Sequence, residues 1–197
     1  MLPSKQLAAT GFIYVWDVST GRKLSELRAL DAHKNAIHAI AFTPDASCLV
    51  SGSADSNIVI WEIESRSPRC TLYGHAGRVN SIAIMSNGRY ILSGAGDHTL
   101  RVWDIQTFRP RHRRFGHAEG VSRVRISADG NCGVSAAEDG TVKVWNLQTG
   151  DLIHDLKGHR ARVNDVAVAP DGLFMVSASD DATLRCGICR RGPVSAP

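Results

Sequence analysis

The chain has 197 residues, of which 43% are hydrophobic and 21% charged, and a formal net charge of +4. That composition suits a globular protein with a sizeable core, argues against a disordered or fibrous one, and makes nucleic acid an unlikely partner. Ser, Gly, Asp or Asn breaks every apolar run well short of the roughly 20 residues a membrane-spanning helix needs, so no membrane role is expected.

Met1 to Thr10 has neither the basic nor the apolar region of a secretory signal. The five cysteines Cys48, Cys70, Cys132, Cys186 and Cys189 form an odd set. They read as reduced thiols of an intracellular protein, cytoplasmic with the nucleus as the alternative.

Two short strand patterns open the chain, Phe12–Trp16 and Leu24–Ala29, and belong to a partial unit over residues 1–31. From His33 onward one interval governs the sequence. His33, His75, His117 and His159 are 42 residues apart, as are Ser51, Ser93, Ser135 and Ser177, and Asp55, Asp97, Asp139 and Asp181. Trp61, Trp103 and Trp145 keep the same spacing, and so do the turn residues Asp45, Asn87, Asp129 and Asp171. The units are 32–73, 74–115 and 116–157, followed by a truncated one over 158–185.

Within the unit at 74–115, Val79–Met85 alternates and is rich in β-branched residues, Asn87-Gly88 turns the chain, and Tyr90–Gly94 continues it. Thr99–Trp103 is a third predicted strand after the turn at Asp97-His98, and a fourth runs near Arg111–Phe115. No segment has a helical period. Cys48, Tyr90, Cys132 and Phe174 share one register and are expected core positions of the second strand.

A period in this range, with Gly-His near the start and Trp-Asp near the end, resembles the WD-repeat family. The residues are Gly74-His75, Gly116-His117 and Gly158-His159, with Ala32-His33 as a variant. The pair is intact at Trp16-Asp17 and Trp103-Asp104 and altered at Trp61-Glu62 and Trp145-Asn146. The resemblance implies an all-β fold: a β-propeller of four-stranded antiparallel blades, here an incomplete or truncated ring. Such blades bury their apolar faces only by stacking.

The His, Ser, Asp and Trp series admits two readings. One is a Ser-His-Asp catalytic triad. The other, which the resemblance implies, is a buried structural relay in every unit: Asp orients His, His meets the Ser hydroxyl, and Ser meets the indole N–H. Copying the set into each unit favours the relay, and no catalytic residue is expected. Cys186-x-x-Cys189 is too little for a zinc or redox site, and no cofactor or metal is expected. The basic run Arg109–Arg114 reads as a guarded edge strand rather than a phosphate grip.

The resemblance also implies that partners dock where residues just after the His and just before the Asp point outward. In this chain those are Arg78 and Asn80, Gly120 and Ser122, Arg162 and Asn164, Ala36 and His38, with Glu138 and Asp180 on the other loops. The recurring Arg suits an acidic or phosphorylated peptide. The expected role is a non-catalytic interaction scaffold; the alternative is the sensor or substrate-receptor region of a larger regulatory enzyme, such as a nucleotide-switch ATPase or a ubiquitin ligase complex.

Both ends depart from the repeat. Gln6 and Thr10 stand where Trp16 calls for Ser and Asp, and Cys186-Gly187-Ile188 replaces Val-Trp-Asp. Residues 186–197 read as a disordered tail, and the repeat as cut short by an altered transcript or gene product. The unpaired faces leave three expectations: a fragment of a larger ring, association with another chain, and, ranked last, closure on itself.

Overall fold

The computed structural model describes residues 12–28 and 32–188, all of them β-strand, turn or loop. The first two strands, β1 (Phe12–Trp16) and β2 (Lys23–Arg28), form an antiparallel hairpin. Blade 1 follows as β3 (Ile37–Phe42), β4 (Cys48–Ser53), β5 (Ile58–Glu62) and β6 (Ser67–Leu72). Blade 2 is β7 (Val79–Ile84), β8 (Tyr90–Ala95), β9 (Thr99–Asp104) and β10 (Arg109–Phe115), and blade 3 is β11 (Val121–Ile126), β12 (Cys132–Ala137), β13 (Thr141–Asn146) and β14 (Leu152–Lys157). Among the described residues blade 4 has three strands, β15 (Val163–Val168), β16 (Phe174–Ser179) and β17 (Leu184–Ile188). The expected all-β architecture holds, and the arc is open.

The turns explain the spacing of the small polar residues. Between the first and second strands of each blade, Ala46, Gly88, Gly130 and Gly172 all have φ between +56° and +73°. The residue before each accepts a backbone N–H two residues on, from Ser47, Arg89, Asn131 and Leu173, closing an Asx-turn. Asp104 and Asn146 do the same after the third strand, each capping the next two free N–H groups in its turn. That is why Asn replaces Asp there without loss of structure.

The core lies between blades, not within them. Val50, Ile58 and Ile60 of blade 1 pack on Val79, Ile82, Ile91 and Trp103 of blade 2. Leu92, Leu100 and Val102 meet Val121, Val124 and Trp145 across the next interface, and Val134, Val142 and Val144 meet Val163, Val166 and Met175 across the last. Gly94 lies under this packing: a Cβ there would stand 2.5 Å from the Val121 side chain.

Two expectations need correction. The strand β17 continues through Cys186 and Gly187 to Ile188 and pairs with β16, so the tail predicted to begin at residue 186 is ladder for its first three residues. Backbone hydrogen bonds extend the strand where no Trp marks it. The rest of that tail, with Cys189, lies outside the described residues, as do Gln6 and Thr10. In the register expected to be core, Cys48 and Cys132 are buried but Tyr90 is only partly so and Phe174 is 49% exposed. Phe174 faces outward from blade 4, where no further sheet among the described residues covers it. Tyr90 instead has the Arg89 and Arg111 guanidinium groups over its ring, at 5.2 and 5.0 Å from the centroid.

Candidate protein-interaction surface

Each blade runs a polar chain inward from the loop before its first strand. In blade 2, His75 Nδ1 lies 3.0 Å from Asp97, His75 Nε2 lies 2.8 Å from the Ser93 hydroxyl, and Trp103 Nε1 donates to that hydroxyl at 2.8 Å. Blade 1 repeats the set with His33, Asp55, Ser51 and Trp61, and blade 3 with His117, Asp139, Ser135 and Trp145, at 2.7 to 3.1 Å. In blade 4, His159 meets Asp181 at 2.9 Å and Ser177 at 2.8 Å. The indole position there is Gly187.

The protons order themselves. An Asp carboxylate takes N–H from Nδ1, leaving Nε2 as acceptor for the serine O–H, whose oxygen lone pair takes the indole N–H. Every group then has a partner, and Ser51, Ser93 and Ser135 have no exposed surface. The Asp carboxylates also accept the N–H of Lys34, Ala76, Ala118 and Arg160, tying the loop after each His to the chain.

Three contributors escaped the sequence reading. Thr99, Thr141 and Thr183 donate to Asp97, Asp139 and Asp181 at 2.6 to 2.7 Å. Their 42-residue spacing was present to be read; blade 1 has Asn57 at that register.

Burial alone would raise the Asp97 carboxyl, but hydrogen bonds from His75, the Ala76 N–H and Thr99 outweigh it and hold the group well below the usual carboxylate range. Asp55 and Asp139 are lowered by the same balance. Burial pushes His117 below the ordinary imidazole value despite Asp139 beside it, which keeps that ring neutral.

The relays fix the backbone of the loops that carry the candidate binding residues. Arg78 precedes the first strand of blade 2, Arg162 precedes that of blade 4, and Glu138 sits in the turn of blade 3 between them. Glu138 Oε1 accepts from Arg78 at 3.0 Å and lies 3.5 Å from Arg162 Nη1, so one carboxylate bridges two guanidinium groups across three blades. Both arginine side chains are about half exposed. Asn164 donates to Asp180 within blade 4, and both are exposed, as are Ala36 and His38 on blade 1.

Asn80 and Ser122 differ from the expectation. The strand register shifts at both residues, as it does at His38 and Asn164. A bulge re-aims the side chain it carries; at Asn80 and Ser122 it points to the next blade, whereas His38 and Asn164 at the same register stay exposed. Asn80 donates its amide to the Val121 carbonyl of the next blade at 2.7 Å. Ser122, buried, donates its one hydroxyl proton to the Val163 carbonyl of the blade beyond, with the Ala136 carbonyl also within reach. These side chains join blades, and Gly120 is buried beside them.

The family described as "WD domain, G-beta repeat" matches residues 24–62, 66–104, 108–146 and 150–186. The chain belongs to the WD-repeat family. Each matched repeat begins with the outermost strand of one sheet and ends with the third strand of the next, so the repeat frame straddles blades.

Among similar proteins, "WD repeat-containing protein 1" of Gallus gallus is 38% identical over 60 residues, 30% of this chain and 10% of that protein. "U3 small nucleolar RNA-associated protein 15" of Schizosaccharomyces pombe is 37% identical over 67 residues, 34% of this chain and 13% of its own length. "WD repeat, SAM and U-box domain-containing protein 1" of Danio rerio is 39% identical over 59 residues, 29% of this chain and 11% of that protein. The chain thus spans only about a tenth of the length of these relatives.

Proposed function

We propose that this WD-repeat chain is a non-catalytic interaction scaffold whose Arg78–Glu138–Arg162 surface receives an acidic or phosphorylated segment of a partner protein. The observation that carries the reading is the shared carboxylate: Glu138 holds two guanidinium groups in register on loops pinned by buried relays. An arginine fork held in place loses little freedom when it meets a carboxylate or phosphate, and its planar donors match both. Asn164, Asp180 and the exposed His38 and Ala36 flank the surface; Asn80 and Ser122 support it from beneath.

The Ser-His-Asp sets speak for architecture on this reading. The serine oxygen of each complete set is enclosed and already holds an indole N–H, so a substrate has no access to it. The setting we assign is intracellular, cytoplasmic or nuclear.

The test is a binding titration with matched acidic peptides, phosphorylated and not, against the wild-type chain and the Arg78→Glu, Arg162→Glu pair. The wild type should bind and the charge-reversed pair should lose at least tenfold in affinity. Equal affinity of both for every ligand found would remove this surface as the docking site.

A further inference from the structure

The two ends of the arc expose complementary halves of one blade. At the third-strand position where Trp61, Trp103 and Trp145 are buried, Trp16 of β1 is 56% exposed. Its indole has no serine of its own repeat, since Gln6 stands at that register. Blade 4 has the converse defect. Ser177 is buried and bonded to His159, but Gly187 provides no indole, and a cavity of about 310 Å³ opens beside it, bounded by Gly158, Met175, Ser177 and Gly187. In blade 3 the matching space is filled: Gly116, the counterpart of Gly158, lies so close under Trp145 that a Cβ would meet the ring at 2.0 Å.

The apolar faces match in the same way. Ile82, Val124 and Val166 are buried against the preceding blade, while their counterpart Ile40 is 57% exposed. Val50, Leu92 and Val134 are buried against the following blade, while Val176 is 42% exposed. Val50 packs with Ile82 in one cluster, so Val176 and Ile40 are the two halves of an interface this molecule already forms three times. The hairpin supplies a third and a fourth strand; blade 4 has the first, the second and a β17 without its Trp.

The geometry points to head-to-tail association of two copies, in which the β1–β2 hairpin of one chain replaces β17 beside β16 of the other and seats Trp16 in the cavity at Ser177. The exchange gives a four-stranded blade, completes the fourth relay with an indole donor, and covers Val176 of one chain with Ile40 of the other. Because the arc is open, its own two ends do not meet. The interface is heterologous, and two such contacts close a dimer when the rotation allows.

Sedimentation of the intact chain over a range of concentrations tests this, with two variants that block opposite ends. Trp16→Ala removes the plug. Gly187→Trp gives β17 its own indole; a Cβ at 187 meets the flexible end of Met175 at 3.1 Å, which can shift. The wild type should self-associate, and each variant alone should need at least tenfold higher concentration to do so. Mixed, the two variants should associate again, because Trp16 of the Gly187→Trp chain finds the open Ser177 of the Trp16→Ala chain. Circular dichroism of each variant confirms its fold. A wild type that is monomeric throughout, a monomer with Trp16 buried, or a mixture no more associated than its parts would overturn the proposal.

Discussion

Asn80 donates its side-chain amide to the carbonyl oxygen of Val121 at 2.7 Å, so a polar side chain of blade 2 holds the backbone of blade 3. Ser122 makes the same contact one blade further on, to Val163. Blade stacking in this chain is therefore not apolar alone: the bulges in the first strands of blades 2 and 3 each aim one donor at the next blade. Asn80→Ala should lower unfolding free energy by about 1 kcal/mol, read in urea melts, through an orphaned carbonyl at the interface. Peptide binding at Arg78 should change little.

The relays differ in how many partners each serine holds. Ser93→Ala strands both the His75 Nε2 and the Trp103 N–H in a buried site, at a cost on the order of 2–4 kcal/mol. Ser177→Ala strands only His159 in the isolated chain and should cost about half as much. Equal losses at the two positions in urea titrations would mean that the indole bond contributes nothing.

Acid should weaken the fold in two stages. His117 has its folded value depressed, so the unfolded chain takes up a proton first; this contribution is whole above about pH 6.5 and is lost as pH falls toward the folded value. Asp55, Asp97 and Asp139 are likewise depressed, so their contribution is whole above about pH 3.9 and is lost on further acidification. Thermal melts between pH 8 and pH 3 should fall below pH 6.5 and again below pH 4. His117→Gln should flatten the first step.

Ala46 holds φ at +56° where the other three blades have glycine. An L-residue in the left-handed region costs about 1 kcal/mol, partly offset by the greater freedom glycine gains on unfolding. Ala46→Gly should therefore raise stability by about 0.5 kcal/mol, measured as a higher urea midpoint at unchanged slope. A lower midpoint would show that the turn tolerates the methyl without strain.

The fold was readable because each blade restates one set of groups, and the interval between His75, Ser93, Asp97 and Trp103 leaves one way to bring them together. What escaped reading has physical causes. The inward turn of Asn80 and Ser122 depends on a bulge, which breaks the alternation that strand patterns rest on. The exposure of Val176 and Ile40 belongs to their places at the ends of the arc, not to local sequence, since Val50, Leu92 and Val134 and Ile82, Val124 and Val166 are buried at the same registers inside it. β17 reaches Ile188 because pairing with β16 needs backbone groups rather than the missing Trp. Within the candidate surface, Arg78 and Arg162 could be picked out by position, whereas their shared contact with Glu138 required the three blades to be stacked.

The most direct measurement is the salt dependence of affinity for an acidic or phosphorylated peptide bound by the wild-type chain, set beside Arg78→Glu with Arg162→Glu. Partly exposed guanidinium groups act through screened charge, so wild-type affinity should fall steadily from low to high ionic strength while the reversed pair stays weak throughout. Tight binding that ignores both salt and the double reversal would contradict the account.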